Sequence, residues 1–225
     1  MTNDPQRNEV PADSQIDMFS YFPANVYIVK RPDFLDIARV VCAEAVDAVK
    51  ANGQVLDEIY PVHMTGQLFD DPRLASFCQF IGETTWEILR SQGYNMTLFN
   101  TYFQEMWCQE HFKHSAMEQH VHGYGCQIVG FYFVEVPDNS SHVVLHDPKP
   151  GKVQANLPET DFSQPTPASN MINFRPEAGT LMFMNSWLPH SFTRHAAENP
   201  LSFIHFNLSV RDAPQGAAAP AAEVI

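Results

Sequence analysis

The hydrophobic periodicity of this 225-residue chain changes at Gly93. Before Gly93, two segments carry apolar residues at helical spacing. After it, aromatic and β-branched residues dominate, and Pro, Gly, Asn and Asp interrupt them. Helices followed by a series of short strands do not fit the alternating order of a parallel α/β sheet. The order predicts a mainly β fold, a sandwich or barrel flanked by two N-terminal helices, in one domain of residues 18–211.

Both helical segments have start and stop signals. The first, RPDFLDIARVVCAEAVDAVKANG, has Asp33 as a candidate cap and Gly53 as a stop. The second, DDPRLASFCQFIGETTWEILRSQG, has Asp70 or Asp71 as a candidate cap and Gly93 at its end. We therefore expect one helix in each segment.

The candidate strands are NMTLFNTYFQEMW, QIVGFYFVEV, SHVVLHD, MINF, GTLMFM and LSFIHFNLSV. Residues 147–170 interrupt them with an irregular stretch, whose length is typical of a functional loop or of disorder. The polar residues 1–17 predict a loose N-terminus, and the low-complexity residues 212–225 predict a disordered tail.

Composition restricts the classes of partner and compartment. Asp and Glu number 26 against 13 Lys and Arg, and the formal net charge of −13 disfavours nucleic acid, whose binding depends on a positive surface. The sequence has neither an apolar run of about 18 residues nor a signal peptide, so we expect a cytoplasmic protein with no membrane partner. A homodimer is the default expectation for any oligomer.

The four cysteines do not form a Cys-x-x-Cys pair, which disfavours a thiolate zinc site or a redox dithiol. We expect them to be reduced and structural.

The histidines cluster in the middle of the sequence. Residues i and i+2 of a strand point to the same face, so His120 and His122 are candidates for binding one metal ion together. A His-x-His pair also fits two hydrogen-bonded histidines on a strand edge. His190, 68 positions beyond His122, follows a Pro-x-x-Gly turn, a buried strand and a short loop, and is the third candidate ligand.

A series of short motifs resembles the 2-oxoglutarate/Fe(II)-dependent oxygenase superfamily, and most closely a group of small bacterial and phage oxygenase-like proteins. In chain order the motifs are His120-Val121-His122, VGFYFVEVP, HDP at 146–148, RPEAGTLMF, WLPH at 187–190 and HFN at 205–207. The resemblance implies a double-stranded β-helix, or jelly-roll, of cupin-like architecture. It also implies Fe(II), 2-oxoglutarate and O₂ as reactants, and hydroxylation of a small-molecule or peptide substrate whose identity the sequence does not give.

The candidate ligand set departs from the superfamily pattern. A carboxylate usually follows the near histidine by two positions, and here His122 occupies that position. We therefore expect His120, His122 and His190 as the metal ligands, with Asp147 in reserve. Asp147 also fits a simple Asp-Pro turn residue.

The residue expected to anchor the cosubstrate departs from the superfamily pattern as well. The resemblance implies a basic residue near the start of the last strand, which clamps the distal carboxylate of 2-oxoglutarate. That position falls at Pro200 or Leu201 in this chain. Three residues are the candidates for cofactor binding instead, and two aromatic residues near the ligands are candidates for a substrate pocket. The cofactor-binding candidates are Arg194, His205 and Asn207, and the pocket candidates are Tyr124 and Trp187.

Two other functions fit the same residues. A cupin-like metalloenzyme that does not use 2-oxoglutarate is favoured by the three histidines and by the missing arginine. A non-catalytic jelly-roll module would hold a structural metal or none. The identity of the metal and the number of its open coordination positions separate these alternatives from an oxygenase.

Overall fold

The structure is a computed structural model that describes residues 16–154 and 157–213. The predicted loose termini, 1–17 and 212–225, lie almost entirely outside the described residues. In chain order the described elements are β1 (Val26–Lys30), α1 (Leu35–Ala51), β2 (Val62–Met64), α2 (Ala75–Ser91), β3 (Phe99–His111), β4 (Met117–His120), β5 (Ile128–Glu135), β6 (Val143–His146), α3 (Pro150–Gln154), β7 (Met171–Phe174), β8 (Thr180–Asn185), β9 (His190–Phe192) and β10 (Leu201–Asp212).

The two predicted helices form, and one of their predicted caps differs. Asp71 accepts a hydrogen bond from the backbone N–H of Arg73 at 2.9 Å and starts a 3-10 turn that leads into α2. Asp33 does not cap α1, because its carboxylate is held by the guanidinium of Arg31 at 2.8 and 2.9 Å. No helix among the described residues is long and apolar enough to cross a bilayer.

All strands pair antiparallel in two sheets. The larger sheet has the order β1-β8-β5-β10-β3-β2, and the smaller sheet has the order β4-β9-β6-β7. The inner face of the larger sheet packs against the smaller one through a shared apolar cluster that includes Phe131, Phe192 and Phe203. This arrangement is the predicted double-stranded β-helix, mainly β with flanking N-terminal helices.

The outer face of the larger sheet packs under α1 and α2. Met106, Ile204 and Phe206 belong to the apolar cluster that these helices cover. Gly130 on β5 allows the ring of Phe206 to cross the strand, because a Cβ at this position would overlap that ring and the carbonyl oxygen of Met182. The central strands are consequently buried on both faces and read as continuous apolar runs.

Two details of the strands differ from the prediction and affect the site. β4 ends at His120, so His122 lies in the following loop and not on the same strand. β3 is longer than the predicted NMTLFNTYFQEMW and runs to His111, which adds Gln109 and His111 to the larger sheet. Both differences arise at strand ends, where local sequence signals are weakest.

Candidate metal centre

Three histidines converge where β4 ends and β9 begins. His120 on β4 pairs directly with His190 on β9. The loop after β4 is fixed by a hydrogen bond of 2.9 Å from the backbone N–H of His122 to the carbonyl oxygen of Ser186. This bond directs the chain back toward β9 and brings His122 to the other two histidines.

The three rings are close enough to share one ion. The ring centroids are 4.4 Å apart for His120 and His190, 5.1 Å for His120 and His122, and 5.3 Å for His122 and His190. One ligand nitrogen from each ring lies within 4.8 Å of the other two, and among the described residues these histidines form the group suited to holding a metal. Imidazole nitrogen is a common ligand of Fe, Zn, Cu and Ni.

Hydrogen bonds to carbonyl groups orient two of the rings. The Nδ1 of His120 donates to the carbonyl oxygen of Glu118 at 2.8 Å, and the Nδ1 of His190 donates to that of Leu188 at 3.0 Å. A neutral imidazole with Nδ1 protonated has its lone pair on Nε2. The buried Nε2 atoms of His122 and His190 have no hydrogen-bond partner. These free lone pairs fit a metal ion, and backbone carbonyls of this kind often orient metal-binding histidines.

Burial favours the neutral form of two of the three rings, those of His122 and His190. Burial lowers the pKa of His190 to about 3, an effect that the neighbouring His120 and His122 increase and the hydrogen bond to Leu188 opposes. Burial, together with His120, lowers the pKa of His122 to about 4. Neutral imidazole is the form that binds a metal ion, so the centre is ready to bind at neutral pH.

A fourth histidine lies behind the cluster on the larger sheet. His205 is 3% exposed, and its ring stacks on His122 with a centroid distance of 5.0 Å and on Trp107 with one of 4.3 Å. Burial is the main cause that keeps the pKa of His205 well below its usual value. His205 lies in contact with the centre but outside the group of three.

The inner face of the larger sheet carries further polar side chains, which we call the inner polar row: Trp107, Gln109 and His111 of β3 with His205 of β10. Register places them together, because Trp107 pairs with His205 and His111 with Leu201. Each has at least one buried nitrogen or oxygen without a hydrogen-bond partner. The sequence prediction missed Gln109; the signal available was the two-residue spacing of polar side chains on a strand that is covered on both faces.

A cavity of about 410 Å³ lies next to His122, and we call it the mouth cavity of the centre. His122, Tyr124, Glu105 and Asn207 line it, and the amide of Asn207 donates to the carboxylate of Glu105 at 2.9 Å. Of the two predicted pocket aromatics, the exposed Tyr124 therefore lines this cavity. Trp187 is 46% exposed in the turn between β8 and β9 and lies outside its lining.

Asp147 and Arg194 lie away from the three histidines. Asp147 lines a separate cavity of about 580 Å³, where Lys152 forms an ion pair with it at 3.0 Å. Partial burial acts to raise the pKa of Asp147, but bonds from the backbone of Lys149 and from Lys152 lower it overall. Arg194 is exposed and follows the end of β9 by two residues.

Comparison with known families adds evidence of a different kind. Residues 105–207 match the profile of the family described as "Putative 2OG-Fe(II) oxygenase". The matched range runs from the strand with the inner polar row to the last strand and includes His120, His122 and His190. No curated protein matches the chain.

Solved structures share the fold at low sequence identity. HygX from Streptomyces hygroscopicus, with nickel, 2-oxoglutarate and hygromycin B bound, aligns with a TM-score of 0.54 at 12% identity, covering 83% of each chain. A Pseudomonas putida prolyl-4-hydroxylase aligns with a TM-score of 0.53 at 10% identity, covering 82% of this chain and 92% of that one. The chain therefore shares its fold with these two proteins.

Proposed function

By the family match, residues 105–207 belong to the 2-oxoglutarate/Fe(II) oxygenases, and we propose that His120, His122 and His190 bind the Fe(II) of this enzyme. The observation that carries the proposal is the convergence of three imidazoles, two of which have a buried Nε2 without a partner. Three protein ligands leave open positions on an iron ion for O₂ and a chelating cosubstrate.

Bound Fe(II) with 2-oxoglutarate and O₂ would supply the oxidising power to hydroxylate an unactivated C–H bond. The protein's own part is to position the reacting groups and to exclude water. His120 and His190 hold their rings through carbonyl hydrogen bonds, and Phe131 packs its ring 5.7 Å from that of His190, which keeps the inner side of the centre dry.

We propose that the substrate, a small molecule or a peptide, enters through the 410 Å³ cavity at the mouth. His122 lines this cavity, so a substrate seated there lies beside the iron. Tyr124 offers an aromatic surface, and Glu105 with Asn207 offers polar contacts. A cytoplasmic location fits the four free cysteines, three of which are buried.

The test is an anaerobic titration of the metal-free protein with Fe(II) and then with 2-oxoglutarate, followed by visible absorption. We expect a metal-to-ligand charge-transfer band that requires both additions. His190→Ala should abolish the band and weaken Fe(II) binding at least about 100-fold, since loss of a ligand exceeds the effect of losing an outer partner. His142→Ala, which removes a histidine that directly precedes β6 and lies outside the centre, should change neither.

Tight Fe(II) binding without a band would contradict the proposal and favour a cupin-like metalloenzyme that does not use 2-oxoglutarate. A site that binds Zn²⁺ with four protein ligands would instead favour a structural metal.

A further inference from the structure

Two side chains of the inner polar row are buried, polar and unpartnered. Gln109 is 1% exposed, and neither its Nε2 nor its Oε1 has a hydrogen-bond partner. His111 is 0% exposed, and neither of its ring nitrogens has one. A buried polar group without a partner costs about 1–3 kcal/mol, and natural proteins rarely leave several together unless a ligand or water pairs with them.

Their depth in the barrel matches the length of the cosubstrate. The metal ligand His122 stacks on His205, which pairs with Trp107, so the metal lies at this layer of the barrel. Gln109 is two residues further along β3, about 7 Å deeper. In 2-oxoglutarate the keto carbon and the distal carboxylate are separated by three C–C bonds of about 1.5 Å each. A molecule chelated to the metal therefore places its far end near the layer of Gln109.

The next residue pair on the inner face, at His111, is where the family pattern places an arginine. Leu201 pairs with His111 across β10 and β3, so their side chains are neighbours on the inner face. Among the described residues, no lysine or arginine is buried. Burial, with a smaller effect of His195, lowers the pKa of His111 to about 3, so its ring is neutral. The positions around the expected carboxylate therefore offer hydrogen bonds without charge.

We propose that Gln109 and His111 bind the distal carboxylate of 2-oxoglutarate in place of the usual arginine. The inference rests on the proposed function. The amide of Gln109 provides two N–H donors and the neutral ring of His111 provides one, whereas a carboxylate only accepts. The surrounding rings of Phe203 and Phe192, 5.1 and 5.3 Å from that of His111, exclude water, so each hydrogen bond is stronger than in solution.

The other candidate anchors lie at different places. His205 is in the layer of the metal itself, and Asn207 lines the mouth cavity one layer outward. Arg194 is exposed beyond β9. Gln109 combines the required depth, burial and donor groups, and His111 is the next buried donor along β3.

The experiment measures the affinity of the Fe(II)-loaded protein for two probes under anaerobic conditions, using the charge-transfer band. The probes are 2-oxoglutarate and 2-oxopentanoate, which has the same chain and ends in a methyl group. The wild-type protein should prefer 2-oxoglutarate about 10- to 100-fold, the value of hydrogen bonds to a charged group. Gln109→Leu and His111→Phe should each reduce this preference about 10-fold or more.

Control measurements separate a role in binding from a role in folding. Affinity for Fe(II) should stay at the wild-type value in both variants, since neither residue is near the three histidines. Thr85→Val removes a buried unpartnered hydroxyl on α2, outside the barrel, and should leave the preference unchanged. Gln109→Glu keeps the size of the side chain and should weaken 2-oxoglutarate most, because it places two carboxylates together.

The outcomes distinguish this inference from the proposed function. A normal band in both variants with an unchanged preference would overturn the assignment of Gln109 and His111. A preference that disappears in Arg194→Gln would also overturn it, and would move the anchor to Arg194. The absence of any band in the wild-type protein would overturn the proposed function and this inference with it.

Discussion

The two faces of the buried part of β3 carry opposite kinds of side chain, although both are covered. Under α1 and α2, the outer face of β3 and β10 carries Met106, Cys108, Ile204 and Phe206, all fully buried and apolar. On the inner face, the alternate residues of β3 together with His205 of β10 form the inner polar row, which lies beside the apolar rings that pack against the smaller sheet. Successive residues on one strand thus alternate between a packed apolar layer and buried polar atoms without partners.

The difference between the two faces of β3 indicates which of them serves stability and which serves binding. The outer face is arranged as stability requires, with dense apolar packing. The inner polar row lowers stability, because its polar groups are desolvated without hydrogen-bond partners. Such a cost, next to three histidines that we propose as metal ligands, is expected where a ligand pairs with the polar groups.

The strongest test of the comparison is a truncation of the outer face. Phe206→Ala should lower the free energy of unfolding by about 3–5 kcal/mol, because it empties the space where this ring packs against Phe183 and over Gly130. Urea unfolding of the metal-free protein measures this. Leu98→Ala, at a residue that is 56% exposed, is the control and should cost less than about 1 kcal/mol. Equal losses of unfolding free energy in the two variants would contradict the view that the outer face is a densely packed, stabilising layer.

An apolar substitution in the inner polar row should raise, rather than lower, the free energy of unfolding. Gln109→Leu should raise the free energy of unfolding of the metal-free protein by about 1–3 kcal/mol, since it replaces a buried unpaired amide with an apolar side chain of similar size. Urea unfolding again gives the value. A loss of stability would indicate that the amide is paired with ordered water in the ligand-free protein.

The smallest effect is expected in the pH dependence of stability. His111 has a folded pKa of about 3, below its unfolded value near 6.5, so between these values the unfolded state binds the proton. Stability should therefore fall as the pH is lowered through this range. His111→Asn should flatten the curve by up to about 1.4 kcal/mol per pH unit, measured by urea unfolding of the metal-free protein between pH 4.5 and 6.5.

A matched control exists for the titration. His114 is exposed and has a φ of 75°, a conformation that asparagine tolerates. His114→Asn is measured alongside to account for the loss of one histidine that the fold does not bury. Equal slopes for His111→Asn and the wild-type protein would mean that His111 is protonated in the folded state.

The sequence predicted the fold well because its signals are local. Apolar spacing located both helices, and aromatic and β-branched runs located β5, β8 and β10. The four-residue strands β6 and β7 were also among the candidates, whereas the edge strand β1 and the short strands β2, β4 and β9 were not, because three to five residues often contain too little pattern for periodicity. These strands exist through pairing with distant partners, which local sequence does not encode.

The candidate site likewise contains residues that local sequence identifies and residues that only the tertiary structure identifies. The three histidines were predicted as a group, and the structure places them together, because the family motifs mark them individually. Gln109 has no such motif. Its importance depends on which face of β3 it occupies and on the absence of a partner across the barrel, and both depend on the tertiary structure.

The three proposed histidine ligands, which carry no charge when they bind a metal, and the uncharged inner polar row also determine the electrical balance of a loaded centre. Fe(II) brings two positive charges and 2-oxoglutarate two negative ones, so ligands and anchors without charge give a sum of zero. In the usual superfamily arrangement, a carboxylate ligand and an arginine clamp cancel each other and give the same sum. His122→Asp alone, or Leu201→Arg alone, would leave one unit charge uncompensated in a dry interior. The two departures from the family pattern are therefore coupled, and a change that preserves neutrality has to make both substitutions together.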